Sequence, residues 1–210
     1  MTEQLIQTPF GEFFAADNDL IAHHLATHGA HNISDLQVFL SFIRYGDTVV
    51  DIGAHIGAYA VAAAKKAGPR GAVIAFEGFA PTFEFLQRNI RQNDLNIKPV
   101  FGIVDNAERA YAIKFSSGNT GATRFNSING STPTIPVITN IKDHVETPVD
   151  VVKIDVEGME ANVLDSITDI LRTDKPVIMI EISRVELAAP LDLHKKKPAP
   201  QSAENMLRNP

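Results

Sequence analysis

Five short apolar runs divide this chain, at residues 47–52, 72–77, 98–104, 149–155 and 177–182, each dense in Val and Ile and almost free of polar relief. Thr48, Val49 and Val50 are all β-branched. Uninterrupted runs of this kind are expected of strands covered on both faces of a parallel sheet. Between them lie stretches with helical spacing. Residues 58–66 are alanine-rich, which favours helix strongly. Residues 82–93 are amphipathic through Phe83, Leu86 and Ile90, and a helix running to about Leu171 has apolar positions 163, 164, 167, 170 and 171. Strands alternating with helices predict an α/β fold with a doubly wound, Rossmann-like, mostly parallel sheet, whose ligands lie at the carboxyl ends of the strands.

Outside those runs the pattern is weaker. Residues 1–45 form a prefix of helix and strand, with aromatics at Phe10, Phe13 and Phe14, a short helix from Asp19 to Leu25, and a second from Ser34, the candidate N-cap, to Ile43. This prefix is expected to cover the substrate side or one sheet face. Residues 111–115 predict an edge or hairpin strand, and residues 116–134, rich in Gly, Ser, Asn and Thr, a loop longer than a connection requires.

The first run breaks into a loop with glycines four apart, in residues 51–57 (DIGAHIG). A strand, a glycine turn and a helix place free N–H groups and a positive dipole end where an anionic group can bind. Dinucleotide sites want Gly-x-Gly-x-x-Gly, so that pyrophosphate reaches bare backbone at the second glycine. That position holds His55. The loop therefore suits S-adenosylmethionine, which lacks a pyrophosphate, better than NAD or FAD. Glu77 ends the second run 24 residues after Gly53, where an acid accepts hydrogen bonds from ribose hydroxyls. Asp51, Gly53, Ala54, His55, Gly57 and Glu77 are the candidate cofactor-binding residues, together with Asp105 directly after the third strand.

Composition narrows the field without naming a reaction. With 210 residues, 44% apolar and 21% charged, the chain fits one soluble domain. A net charge of −6 and no basic patch before residue 194 give no reason to expect nucleic-acid binding. The absence of cysteine excludes disulfides, zinc thiolates and thiol nucleophiles. The first residues show no signal peptide and no membrane-length apolar stretch, so cytoplasmic placement is the expectation. His23, His24, His28 and His31 lack carboxylate partners at ligand spacing and are read as surface or packing histidines.

The informative acids, Asp51, Glu77, Asp155 and Glu181, all fall at predicted strand ends. With strands four and five flanking strand one, Asp155, Glu157 and Glu181 are expected to converge on one rim and are the candidate catalytic residues. Three carboxylates so close repel unless a proton, a cation or a divalent ion offsets them. One use is a general base for a substrate hydroxyl. Divalent-metal ligation is the other, and no metal-ligand spacing supports it. Glu157 and Glu160 also suit the first turn of a helix on dipole grounds alone, and for Glu160 that reading is preferred. Lys153, inside the fourth strand, is expected to reach a carboxylate or the strand end, because an unpaired buried ammonium is costly.

Taken together, residues 50–57 (VDIGAHIG), Phe76–Glu77, Phe83 to Ile90, residues 118–121 (GNTG), residues 152–160 (VKIDVEGME) and residues 176–181 (PVIMIE) resemble the FkbM family of class I S-adenosylmethionine-dependent methyltransferases. The resemblance covers about residues 45–183. It implies O-methylation of a hydroxyl on a small molecule, sugar or natural product, with S-adenosylhomocysteine as product, and it implies that Asp51, Gly53, Ala54, Gly57 and Glu77 contact the cofactor. The chain departs from the family pattern at Glu77-Gly78, where the family commonly has Glu-Pro, and at residues 139–141, where an acid is missing. Only 28 residues follow Ile182, so the sheet is expected to be shortened after strand five. Its edge would then be exposed, with residues 184–210 an irregular tail. The expected partners are a small-molecule or glycan acceptor and a second copy of the chain covering that edge, with no nucleic acid or membrane. A non-catalytic S-adenosylmethionine-binding protein is the alternative function.

Overall fold

The computed structural model describes residues 2–128, 135–146 and 148–182. The chain opens with a hairpin of β1 (Glu3–Thr8) and β2 (Gly11–Ala16), in which Thr8 pairs with Gly11 and the Thr8 hydroxyl accepts the Phe10 and Gly11 N–H groups to close the turn. Helix α1 (Leu20–His28) is capped by Asp19, whose carboxylate accepts the Ile21 N–H at 2.8 Å, and it ends at left-handed Gly29. Helix α2 (Ile33–Phe42) begins one residue before Ser34. Its N-cap is therefore Asn32, in a left-handed conformation that makes no side-chain cap bond.

The central layer follows. Strands β3 (Thr48–Ile52), β4 (Ala72–Glu77) and β5 (Ile97–Phe101) are linked by α3 (Ala58–Ala67) and α4 (Ala80–Gln92). The apolar run predicted as a single third strand from 98 to 104 is divided. Gly102, at φ 152°, breaks it, and β6 (Ile103–Val104) leaves the main sheet to pair with β9 (Val137–Ile138). Strands β7 (Ala110–Lys114) and β8 (Arg124–Ile128) form an antiparallel hairpin, so the segment predicted as loop from 116 to 134 contains a strand. Residues 129–134 of that segment lie outside the described residues. The chain continues through β9 (Val137–Ile138), β10 (Val151–Ile154), α5 (Glu160–Ser166), α6 (Thr168–Thr173) and β11 (Val177–Ile180). The helix predicted to run unbroken to Leu171 is two helices meeting at Ile167.

The sheet is all parallel, in the order β11-β10-β3-β4-β5. The predicted strand five, β11, therefore flanks β10 and does not touch β3, the predicted strand one. Because side chains alternate across a strand, the sheet divides its apolar residues between two cores. Val49, Val73, Ala75, Ile97 and Val151 face the hairpin and α1 to α4, while Val50, Ile74, Phe76, Val152 and Ile154 face α5 and α6. The prefix thus covers one sheet face.

Asparagine amides fix the prefix to the core. Asn89 of α4 accepts the Phe14 N–H at 2.7 Å and donates to the Phe14 and Ile56 carbonyls at 3.1 and 2.9 Å. One turn on, Asn93 exchanges bonds with both backbone groups of Glu12. The two side chains complete the outer edge of β2 as a neighbouring strand would. In the main sheet, β11 and β5 are the two edges among the described residues, and β11 leaves Val177 and Ile178 exposed. The predicted tail at 184–210 lies outside the described residues.

Candidate functional site

The glycine loop after β3 is shaped by its neighbours. The Gly53 and Ala54 N–H groups both donate to the Phe76 carbonyl, at 3.0 and 2.9 Å. A Cβ on Gly53 would lie 1.8 Å from the Asp155 carbonyl oxygen, and φ is +83°. Gly57, at φ +91°, heads α3 and leaves space for Leu86. Both glycines are required by internal packing as well as by their positive φ.

His55 sits between them in a left-handed conformation, φ 54°. This turn points its N–H at Glu77 Oε2, 2.8 Å away, while Glu77 Oε1 accepts the Phe79 N–H at 2.7 Å. One carboxylate thereby joins the loops after β3 and β4. Burial pushes the Glu77 carboxyl up, and the two N–H bonds pull it back. Each of its oxygens keeps acceptor capacity.

The His55 imidazole contacts Thr120 Oγ1 at 2.7 Å, and Thr120 is held in turn by Asp19, whose Oδ2 accepts both its N–H and its hydroxyl. Burial lowers the His55 pKa to about 4 despite nearby Asp19 and Asp155, so the ring is neutral at pH 7. His31, in the turn between α1 and α2, lines the same cleft with Nδ1 2.7 Å from His24 Nδ1. Burial, then His24, lowers the His31 pKa. Among the described residues no group of three acids or histidines is placed to hold a metal.

Asp51 is placed differently from its prediction at a strand end. It lies within β3, fully buried, opposite Lys153 of β10. It does not line the cleft. Lys153 Nζ stands 3.3 Å from Asp51 Oδ1, 3.3 Å from Asp155 Oδ2 and 4.9 Å from the Tyr59 ring centroid. Burial alone would lower its pKa, but Asp51 and then Asp155 outweigh that and hold it above the ordinary lysine value. Lys153 thus carries the influence of Asp51 to the cleft wall.

Asp155, Glu157 and Glu181 do meet on one rim of the cleft. Glu157, at φ 53°, approaches Arg124 of the β7–β8 hairpin at 3.3 Å. Burial, then Asp155, raises the Glu157 carboxyl, whereas Asp155, then burial, raises Glu181. Glu160 is turned away, with both oxygens accepting the Gly158 N–H. Asp105 is also outside the cleft. It is fully buried, and its carboxylate is taken up by Arg109, the Tyr111 hydroxyl and the Asn106 N–H.

The cleft has a volume of about 280 Å³. Gly53, Ala54, His55 and Lys153 stand along one wall, and Glu77 is set among Phe76, Phe79, Ile103, Val104 and Phe125. A carboxylate beside an apolar slot suits a ribose joined to a purine; the loop N–H groups expected to be free are not, since those of Gly53 and Ala54 donate to the Phe76 carbonyl and that of His55 to Glu77. Sequence reasoning missed Thr120 and His31 as cleft residues, and Asp19 and Arg124 as the side chains that bond the cleft residues Thr120 and Glu157. Asp19 was legible only as a helix cap, and Thr120 only as part of the GNTG motif.

A profile of the Methyltransferase FkbM domain matches residues 51–195, more than half of the chain. No curated protein matches. Among solved structures, a tRNA (uracil-54, C5)-methyltransferase of Pyrococcus abyssi in complex with S-adenosyl-L-homocysteine superposes with a TM-score of 0.50 at 11% identity, covering 86% of this chain and 34% of that one. Methyltransferase FkbM from Methylobacillus flagellatus KT gives 0.46 at 16% identity, covering 79% of this chain and 44% of that one. Aeropyrum pernix fibrillarin with natively bound S-adenosyl-L-methionine gives 0.47 at 14%, covering 75% and 56%. This chain spans about a third to just over half of the length of these three proteins, and at such identities the likeness is one of fold. With the domain profile covering the glycine loop, Glu77, the acidic rim and β11, the chain belongs to the FkbM methyltransferase family.

Proposed function

We propose that this chain binds S-adenosylmethionine in the cleft and transfers its methyl group to a hydroxyl of a small molecule or sugar. The observation that carries the reading is Glu77, a carboxylate fixed by the His55 and Phe79 N–H groups at the mouth of an apolar slot. Glu77 would hold the ribose hydroxyls, Phe79, Ile103 and Val104 would flank the base, and the loop at Gly53 and Ala54 would receive the amino-acid end. When bound, the cofactor supplies an electrophilic methyl on a sulfonium. The rim of Asp155, Glu157 and Glu181 favours that positive charge, and the raised carboxyls of Glu157 and Glu181 suit the removal of a hydroxyl proton as the methyl moves. Family membership supports the reaction class; the acceptor follows from the resemblance and the rim chemistry.

Calorimetric titration with S-adenosylhomocysteine and with NAD tests the cofactor. The former should bind and the latter should not; binding of NAD alone would sink the proposal. Radiolabelled methyl transfer to hexose, disaccharide and phenol acceptors tests the reaction. Tight binding with no transfer to any hydroxyl would favour the non-catalytic alternative.

A further inference from the structure

Asp19 lies outside residues 51–195, yet it reaches the glycine loop through two hydrogen-bonded steps. It is 6% exposed, its Oδ1 accepts the Ile21 N–H at 2.8 Å, and its Oδ2 accepts the Thr120 N–H and hydroxyl at 2.8 and 2.7 Å. Next to these bonds the Leu20 N–H donates to the Gly118 carbonyl at 2.9 Å, so residues 19–20 clasp residues 118–120 at two points. Thr120 Oγ1 then stands 2.7 Å from His55 Nε2.

The direction of these bonds follows from donor counting. An ionised carboxylate accepts only, so the single hydroxyl proton of Thr120 is committed to Asp19, and the hydroxyl oxygen has only lone pairs left to offer His55. The 2.7 Å contact therefore requires the proton on Nε2. Because burial keeps the ring neutral, Nδ1 is left bare. His55 thus uses three groups in different ways: its N–H on Glu77, its Nε2–H on Thr120, and an Nδ1 lone pair in a residue that lines the cleft.

We infer that Asp19 and Thr120 are positioning residues for the cofactor loop, fixing His55 in the tautomer that carries its proton on Nε2 and presents Nδ1 as an acceptor. Such an acceptor suits the ammonium at the amino-acid end of S-adenosylmethionine. The proton on Nε2 rests on the hydrogen-bond geometry and the bare Nδ1 on the burial that keeps the ring neutral, while the consequence for binding rests on the cofactor reading above.

Long-range proton–nitrogen correlation spectra of the ¹⁵N-histidine-labelled full chain, with His55 assigned through H55Q, read the tautomer directly. The unmodified chain should show the Nε2–H form, and Thr120→Val should lose it. Thr120→Val should also weaken S-adenosylhomocysteine binding by about tenfold, the scale of one lost hydrogen bond, and Thr120→Ser should restore both readouts. An Nδ1–H form in the unmodified chain overturns the inference. So does a Thr120→Val variant that melts earlier but keeps the tautomer and the affinity, since that is a purely structural role. If the unmodified chain fails to bind S-adenosylhomocysteine, the cofactor reading falls and takes the binding consequence with it, and the spectra alone decide the tautomer.

Discussion

Lys153 and Asp51 face each other at the same register position of adjacent parallel strands, with Nζ 3.3 Å from Oδ1 and both side chains withdrawn from solvent. Neither Asp51 oxygen accepts a well-formed hydrogen bond from the described residues, so the ammonium is its main compensation. Breaking a buried pair from one side leaves an uncompensated charge, which typically costs about 3–5 kcal/mol. Lys153→Met should destabilise the chain on that scale in urea unfolding. Adding Asp51→Asn should recover part of the loss. A Lys153→Met cost below about 1 kcal/mol would mean that Asp51 is already neutral.

Glu77→Gln keeps the size of the side chain but exchanges one acceptor oxygen for a donor that conflicts with the N–H of His55 or Phe79. We expect S-adenosylhomocysteine affinity to fall by at least about tenfold, the scale of one charged hydrogen bond. On the proposed cofactor reading the carboxylate form does the binding, and burial raises its pKa. Affinity should therefore weaken as pH is lowered, beginning above the ordinary glutamate range. Calorimetry from pH 8 down to pH 5 checks this, and a flat profile would remove Glu77 from the site.

His55 makes folding itself pH-dependent. Its pKa falls from 6.5 to about 4 in the folded chain, so between those values the unfolded state binds more protons and stability rises with pH. The contribution is full above about pH 6.5 and is lost as pH falls toward 4, on the order of 1–3 kcal/mol. Urea unfolding at pH 7 and pH 4.5 should show this slope. The slope should shrink in His55→Asn, whose side chain does not titrate; an unchanged slope would assign it to other groups.

Asn89→Ala would strip the Phe14 N–H and the Phe14 and Ile56 carbonyls of their partners at one stroke. With a cost of about 1–3 kcal/mol for each buried group left unsatisfied, a loss of about 3 kcal/mol is expected. Because Ile56 belongs to the glycine loop, hydrogen exchange should accelerate at residues 12–16 and 53–57 together. Acceleration confined to the hairpin would show that the loop is held without Asn89.

Much of the sheet was legible because a strand buried on both faces leaves an unmistakable mark. Residues 48–52, 72–77 and 151–154 needed nothing beyond their Val and Ile content. Gly102 was harder. A glycine inside an apolar run reads as tolerated, and only the departure of β6 toward β9 shows that it ends the strand. Arg124–Ile128 was hidden for the opposite reason, since a polar strand paired only with β7 has no apolar alternation to display. Within the site, Glu77 was readable from its position at a strand end. Asp105 has the same local appearance but is consumed by Arg109 and Tyr111.

The sequence by itself determined the order of elements, the parallel core, the glycine loop with His55 where a dinucleotide site wants bare backbone, and the acids that could reach one rim. These are local facts, carried by side-chain period and backbone freedom over a few residues. Only the tertiary structure decided that Asp51 pairs with Lys153, that the Asp155 carbonyl requires glycine at 53, and that Asp19 is joined to His55 through Thr120. Those relationships join residues dozens of positions apart, and hydrogen bonds and ion pairs depend on distance in space, which chain spacing does not encode.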